Sequence, residues 1–280
     1  MNRLLALIVA VLCLPLAACS GGGTPTAEPS TPAPSAEARP TPTPPPRAPE
    51  PPRPEVGACY RLTYEEALAP TTEIQPLRCT REHTAITYFV GDLDTVVDGH
   101  LLAVDATRVQ ERVARACPAR LAAYLGADAD RLALSTLRAV WFSPTLEQSD
   151  EGQSWFRCDV IALARDGRLA GLEGDLAGVL RSAAGRAAYG VCGTAEPGTP
   201  RFARVICSEP HAWRALSVYR LPGTDYPGET AVRDAAQREC QEAAKAVAED
   251  QLNYQWGYDW PTAAQWRGGQ HHGLCWAPET

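Results

Sequence analysis

The cysteines constrain this chain more than any other feature. Ten occur in 280 residues. Cys13 lies in an apolar stretch near the N-terminus and Cys19 ends that stretch. The rest are Cys59, Cys79, Cys117 and Cys158, then Cys192, Cys207, Cys240 and Cys275. They fall into two sets of four, and the flanking residues repeat with them. Gly57-Ala58-Cys59 matches Gly190-Val191-Cys192, and Cys79-Thr80-Arg81-Glu82-His83 matches Cys207-Ser208-Glu209-Pro210-His211. Pro144-Thr145 precedes Cys158 at the spacing by which Pro261-Thr262 precedes Cys275, with Gln148 and Gln265, Gly152 and Gly269, and Gln153 and Gln270 in register.

Between the second and third cysteine of each set, the pattern predicts a strand and then a helix. Ala85 to Val90 and Ala212 to Val218 alternate as strands do. Val109, Val113, Cys117, Leu121 and Leu125 form one helical stripe; Val232, Ala236, Cys240, Ala243 and Val247 form the other, which puts both cysteines on buried faces. Pro118 predicts a kink, or a second helix starting there, because proline inside a helix costs about 3 kcal/mol. Trp155 to Leu163 reads as a closing strand, and the Cys275 end as a shorter one. The expected fold class is therefore α+β: two tandem small disulfide-stapled domains, each a few strands packed on a helix, at 56–165 and 189–280. Residues 166–188 connect them. Leu169, Leu172, Leu176 and Leu180 suggest a short helix or a strap, with Gly171, Gly174 and Gly178 weakening the helix.

The N-terminus says where these bodies reside. Met1-Asn2-Arg3 is cationic, Leu4 to Leu12 is apolar, and Leu16-Ala17-Ala18-Cys19 follows. This resembles a bacterial lipoprotein signal, with 1–18 as signal peptide. The resemblance implies cleavage before Cys19, a palmitate-type lipid on its sulfur, and attachment to the extracytoplasmic face of the cell membrane. The apolar run is short of the roughly 20 residues a membrane helix needs. From Cys19 to Glu55 the chain is Pro/Thr-rich, with 13 of its 25 prolines between Ser20 and Glu55. No core can form from such a composition. Polyproline II at roughly 3.1 Å per residue gives a disordered tether that reaches on the order of 100 Å. A PxxP ligand or a glycosylated stalk has the same composition.

Outside the cytoplasm an even cysteine count reads as disulfides. Each set of four admits three pairings. First with second and third with fourth is favoured, since the first two flank one loop and the last two tie helix to closing strand. Zinc is the competing use of the two Cys-x-x-x-His sequences, but no Cys-x-x-Cys pair accompanies them. The formal net charge of −7 argues against a nucleic-acid partner.

Taken as a set, these motifs resemble the septum formation family of actinobacterial membrane proteins and lipoproteins. The second copy, with Leu221-Pro222-Gly223 and Tyr226-Pro227-Gly228-Glu229, is the closer match; the first has Arg81-Glu82 before its histidine and lacks the Tyr-Pro-Gly-Glu stretch. The resemblance implies a cell-envelope protein linked to division, and it carries no catalytic residues over.

His83 and His211 sit at equivalent turns, so a structural role is expected before an acid–base one. Trp256, Tyr258, Trp260 and Trp266 form a candidate ligand platform, against the alternative of aromatic cover over a small core; Trp276 lies nearby. Asp128, Asp130, Asp225 and Glu229 do not match a calcium loop, and His100 and His271-His272 have no evident partners. No nucleophile elbow, phosphate loop or carboxylate pair is visible, so no cofactor, metal or catalytic residue is expected. The expected function is a non-enzymatic lipoprotein presenting two binding modules to another envelope protein or a wall polymer. A wall-acting extracytoplasmic enzyme and a structural spacer are the alternatives.

Overall fold

The computed structural model describes residues 50–279. The leader, Cys19 and the tether through residue 49 lie outside the described residues. The elements run β1 (Cys59–Tyr60), α1 (Tyr64–Leu68), β2 (Ala85–Asp92), β3 (Val96–Val97), β4 (His100–Leu101), α2 (Thr107–Leu125), α3 (Ala129–Ala133), β5 (Leu137–Phe142), α4 (Leu146–Asp150), β6 (Trp155–Arg165) and β7 (Arg168–Leu169). A 3-10 turn (Val179–Arg181) and α5 (Ala183–Ala188) follow, then β8 (Val191–Gly193), β9 (Arg204–Ile206), β10 (Trp213–Arg220), α6 (Glu229–Val247), β11 (Gly257–Tyr258), α7 (Ala263–Arg267) and β12 (His272–Pro278). The α+β class is as expected.

Each half packs one 19-residue helix on antiparallel strands. In α2 the buried residues are the expected stripe, Val109 through Leu125. In α6 burial runs through Val232, Ala236, Cys240 and Ala244, and Val247 is exposed, so the stripe continues at i+4 past the cysteine. Helix α2 also runs unbroken through Pro118. Pro118 faces solvent, while Cys117 beside it is buried and bonded to Cys158. The missing hydrogen bond therefore falls on the wet side, and packing on the dry side keeps the helix continuous.

Four disulfides join Cys59 to Cys79, Cys117 to Cys158, Cys192 to Cys207 and Cys240 to Cys275. This is first with second and third with fourth in each half. The helix-to-strand bridges are wholly buried at all four sulfur positions.

The sequence correspondence extends to register. Cys158 of β6 lies between Phe89 and Trp141, and Cys275 of β12 lies between Ser217 and Tyr258. A β-bulge interrupts β2 between Thr87 and Phe89 and β10 between Ala215 and Ser217. The Pro-Thr segments are capping boxes: Thr145 with Gln148, and Thr262 with Gln265, each reciprocally hydrogen-bonded. After each short helix the chain turns through a glycine with positive φ, Gly152 at 93° and Gly269 at 92°. Side chains rarely tolerate that backbone.

The boundary expected between two domains is crossed by the sheet. Strand order is β1-β2-β6-β9-β8-β10-β12-β11, with β5 and β7 also on β6. The junction is Arg165 opposite Val205, supported by a bridge between Ser135 and Gly190. Residues Pro49–Thr280 accordingly form one compact unit. The physical reason lies in β6, which is 11 residues long against 7 in β12. Its extra length offers backbone groups that a separate domain would leave as an open edge, and β9 pairs with them. The connecting leucines form a strap on the first half: Leu172, Leu176 and Leu180 join its core, and the Leu172 N–H donates to the His83 carbonyl.

Candidate functional site

An open groove of about 980 Å³ lies on the first half. The tail of the tether (Pro52 to Val56) forms one wall and the loop Thr72 to Cys79 another. Tyr60 of β1, Trp155 and Arg157 of β6, and Gln148 and Gln153 near α4 complete it. Local structure explains the placement. The capping box starts α4, Gly152 reverses the chain, and β6 begins at Trp155, whose indole N–H donates to Gln153 Oε1 at 2.8 Å.

Arg157 is the unusual member. Its side chain is 4% exposed. The guanidinium carbon stacks 3.6 Å from the Tyr60 ring centroid and 4.7 Å from that of Phe142. Asp159, two residues along the same strand and fully buried, brings Oδ2 within 3.2 Å of Arg157 Nη2. That contact lacks hydrogen-bond alignment: Arg157 Nε and Nη2 and Asp159 Oδ2 are all buried without a hydrogen-bond partner. Asp159 Oδ1 accepts from the Thr87 hydroxyl at 2.7 Å. Burial pushes the Asp159 carboxyl up to about 6, against the opposing pull of Arg157 and Thr87. Burial likewise raises the Tyr60 phenol, with Arg157 acting against it.

A model of the septum formation family matches residues 56–275, in one span that takes in both halves. The chain belongs to the septum formation family. No curated protein and no solved structure matches it.

Within this family span, the remaining expected residues fall as follows. His83 is buried, with Nδ1 2.8 Å from the Arg81 carbonyl oxygen. His211 repeats that bond to the Glu209 carbonyl at 2.7 Å. Both brace the turn that carries the second cysteine into a strand. His211 Nε2 also lies 3.1 Å from Glu279, which Arg214 pairs with at 2.5 Å. Arg214 is the main reason the Glu279 carboxyl sits below its usual range.

Cys192, His211 and Glu279 approach within 4.8 Å of one another, the spacing of a metal site. Cys192 is, however, bonded to Cys207, and the Arg214 guanidinium occupies Glu279. A disulfide sulfur is a poor ligand and the arginine repels a cation, so the donor set does not suit zinc. Asp128 caps α3 and Asp130 pairs with Arg220, which likewise gives these acids structural partners. Asp225 and Glu229 are exposed.

The four platform aromatics separate into two groups. Trp256, Tyr258 and Trp260 lie at alternate positions in and around β11, with centroids 5.7 Å apart at each step, the first pair stacked and the second tilted. They are half-buried against the core under α6. Trp266 is turned inward, 3% exposed, with its indole N–H donating to the Thr224 carbonyl and His271 stacked on its ring. It belongs to the core and not to an exposed platform, because an indole N–H that finds an internal acceptor lets the whole ring be buried.

Arg157 and Asp159 were not singled out from the sequence. A signal was present: they flank Cys158, where Leu274 and Trp276 flank Cys275. Two opposite charges inside a strand buried along its length mark a departure between otherwise matching halves. No helix among the described residues is long and apolar enough to cross a membrane.

Proposed function

We propose that this protein is a lipid-anchored cell-envelope component that acts by binding, in a process linked to septum formation. The anchor is the lipid on Cys19, and the Pro-rich tether carries the folded body away from the membrane surface. Its partner is another envelope protein or a wall polymer. The two halves derive from duplication of one unit, and the first half has diverged to carry the binding site.

The observation behind this reading is the open groove with a buried, incompletely paired arginine in its wall. Family membership supports the septal link. A wall-acting enzyme would be expected to expose an acid with a raised pKa in the groove. The residue with the strongest upward carboxyl shift, Asp159, is fully buried and does not line the groove, which favours binding. Crosslinking in intact cells tests the proposal. The full chain should capture an envelope protein or wall fragment, and capture should fall when Cys19→Ala releases the anchor. Wall hydrolysis by the purified protein, or failure of the mature chain to take up labelled palmitate, would overturn the corresponding part.

A further inference from the structure

We propose that the groove beside Arg157 takes a ligand with a free carboxylate, such as the C-terminal end of a short peptide. This rests on the binding reading above and specifies the chemistry of that same site.

Three side chains lining the groove present donors that the protein itself does not use. Gln148 Oε1 accepts from the Thr145 backbone N–H at 3.0 Å, and Gln153 Oε1 accepts from the Trp155 indole N–H at 2.8 Å. Both partners can only donate, so the oxygen of each amide is assigned by chemistry and its NH₂ is the free end. Neither NH₂ has a partner among the described residues. Arg157, which lines the groove at 4% side-chain exposure, adds a guanidinium whose Nε and Nη2 are buried without hydrogen-bond partners, Nη2 facing Asp159 Oδ2 at 3.2 Å. Leaving the buried Arg157 donors unmatched is costly, and an acceptor-only group suits the guanidinium and both amides.

The planar guanidinium fork suits a carboxylate, which accepts two parallel N–H bonds. A dianion fits less well, because the rim carries Glu55 and Glu73 alongside Arg53 and Arg78 and concentrates no positive charge. Ile74 and Leu77, half-buried in the groove lining, supply apolar wall for the aliphatic remainder of such a ligand. A volume of about 980 Å³ is at the upper end of small-ligand pockets, which suits a few peptide residues. The second half provides an internal contrast, since Leu274 stands at the position of Arg157.

Calorimetric titration of the full chain in detergent tests this with three probes: acetyl-trialanine with a free carboxylate, the same peptide amidated, and inorganic phosphate. The free acid should bind, and the amide about tenfold or more weaker. Arg157→Gln should abolish binding. Should that variant fail to fold, Gln148→Glu and Gln153→Glu keep the test open, because each retains the acceptor oxygen that the fold uses and replaces the free NH₂ with a repelling oxygen. Each should weaken binding about tenfold, and Gln148→Glu, at a half-buried position, should do so with an unchanged urea midpoint. Equal binding of acid and amide, preference for phosphate, or wild-type affinity in both Glu variants would overturn the assignment. If no probe binds while crosslinking still captures an envelope partner, the carboxylate ligand is wrong and the binding function stands; if neither occurs, both are wrong.

Discussion

Replacing the two disulfides of the first half separately, each as a double Cys→Ala variant, discriminates their contributions. The bridge between Cys59 and Cys79 spans 20 residues of sequence, and that between Cys117 and Cys158 spans 41. Loop-closure entropy in the unfolded chain then assigns about 3.3 kcal/mol to the first and about 3.9 kcal/mol to the second. On that basis alone they would be hard to tell apart. Burial separates them. Cys117 and Cys158 are both fully buried, between α2 and β6, whereas Cys79 is exposed. Removing two buried sulfurs takes roughly another 0.8 kcal/mol each in lost transfer energy, before any cavity is counted. The inner variant should thus lose about 5–6 kcal/mol and the outer, where only Cys59 is buried, about 4 kcal/mol. Since domains of this kind have only about 5–15 kcal/mol in total, the inner variant should lose about a third or more of its stability. Urea unfolding followed by tryptophan fluorescence measures both. An inner variant no less stable than the outer one, or a loss below about 1 kcal/mol in either, would refute the reasoning.

Three further outcomes follow from specific contacts. Gly273→Ala should destabilise by about 2–3 kcal/mol or more in thermal melts, because its Cβ would lie 2.2 Å from the Asp259 carbonyl oxygen and 2.3 Å from the Tyr219 hydroxyl. Thr262→Ala should cost about 1 kcal/mol in urea midpoints, since it removes the side chain that caps α7. Asp159 predicts a pH effect with a definite sign. Its carboxyl is raised from the ordinary 3.8 to about 6 in the folded state. The folded form therefore holds the proton more firmly than the unfolded chain does. The resulting stabilisation is complete below about 4 and is lost as pH rises through about 6. Asp159→Asn should flatten the melting temperature across that window, and an unchanged slope would show that Asp159 does not titrate there.

Much of the fold was legible in the chain itself because it depends on local chemistry and on repetition. Helical stripes, capping boxes and turn glycines act over a few residues, and each occurs twice at the same offset from a cysteine. That is enough to identify the helices, the main strands and the class of fold, and to favour one disulfide pairing. Pro118 starts no second helix, because the local rule takes no account of which side of the helix faces solvent. Val247 was misplaced for a similar reason: the helix outlasts the surface it packs on.

Tertiary structure alone decided how the halves meet and where the groove lies. Whether a strand edge stays open or pairs with another segment depends on its neighbours in space, so the junction of Arg165 with Val205 has no counterpart in the repeat pattern. The groove assembles the tether's end, β1, β6 and the α4 loop, which are separated by up to a hundred residues of chain. Arg157 and Asp159 were visible as two charges in a strand. Only packing shows them to be buried and poorly aligned with each other, with Arg157 set against an open cleft, because burial and hydrogen-bond alignment are properties of surroundings that no spacing rule encodes.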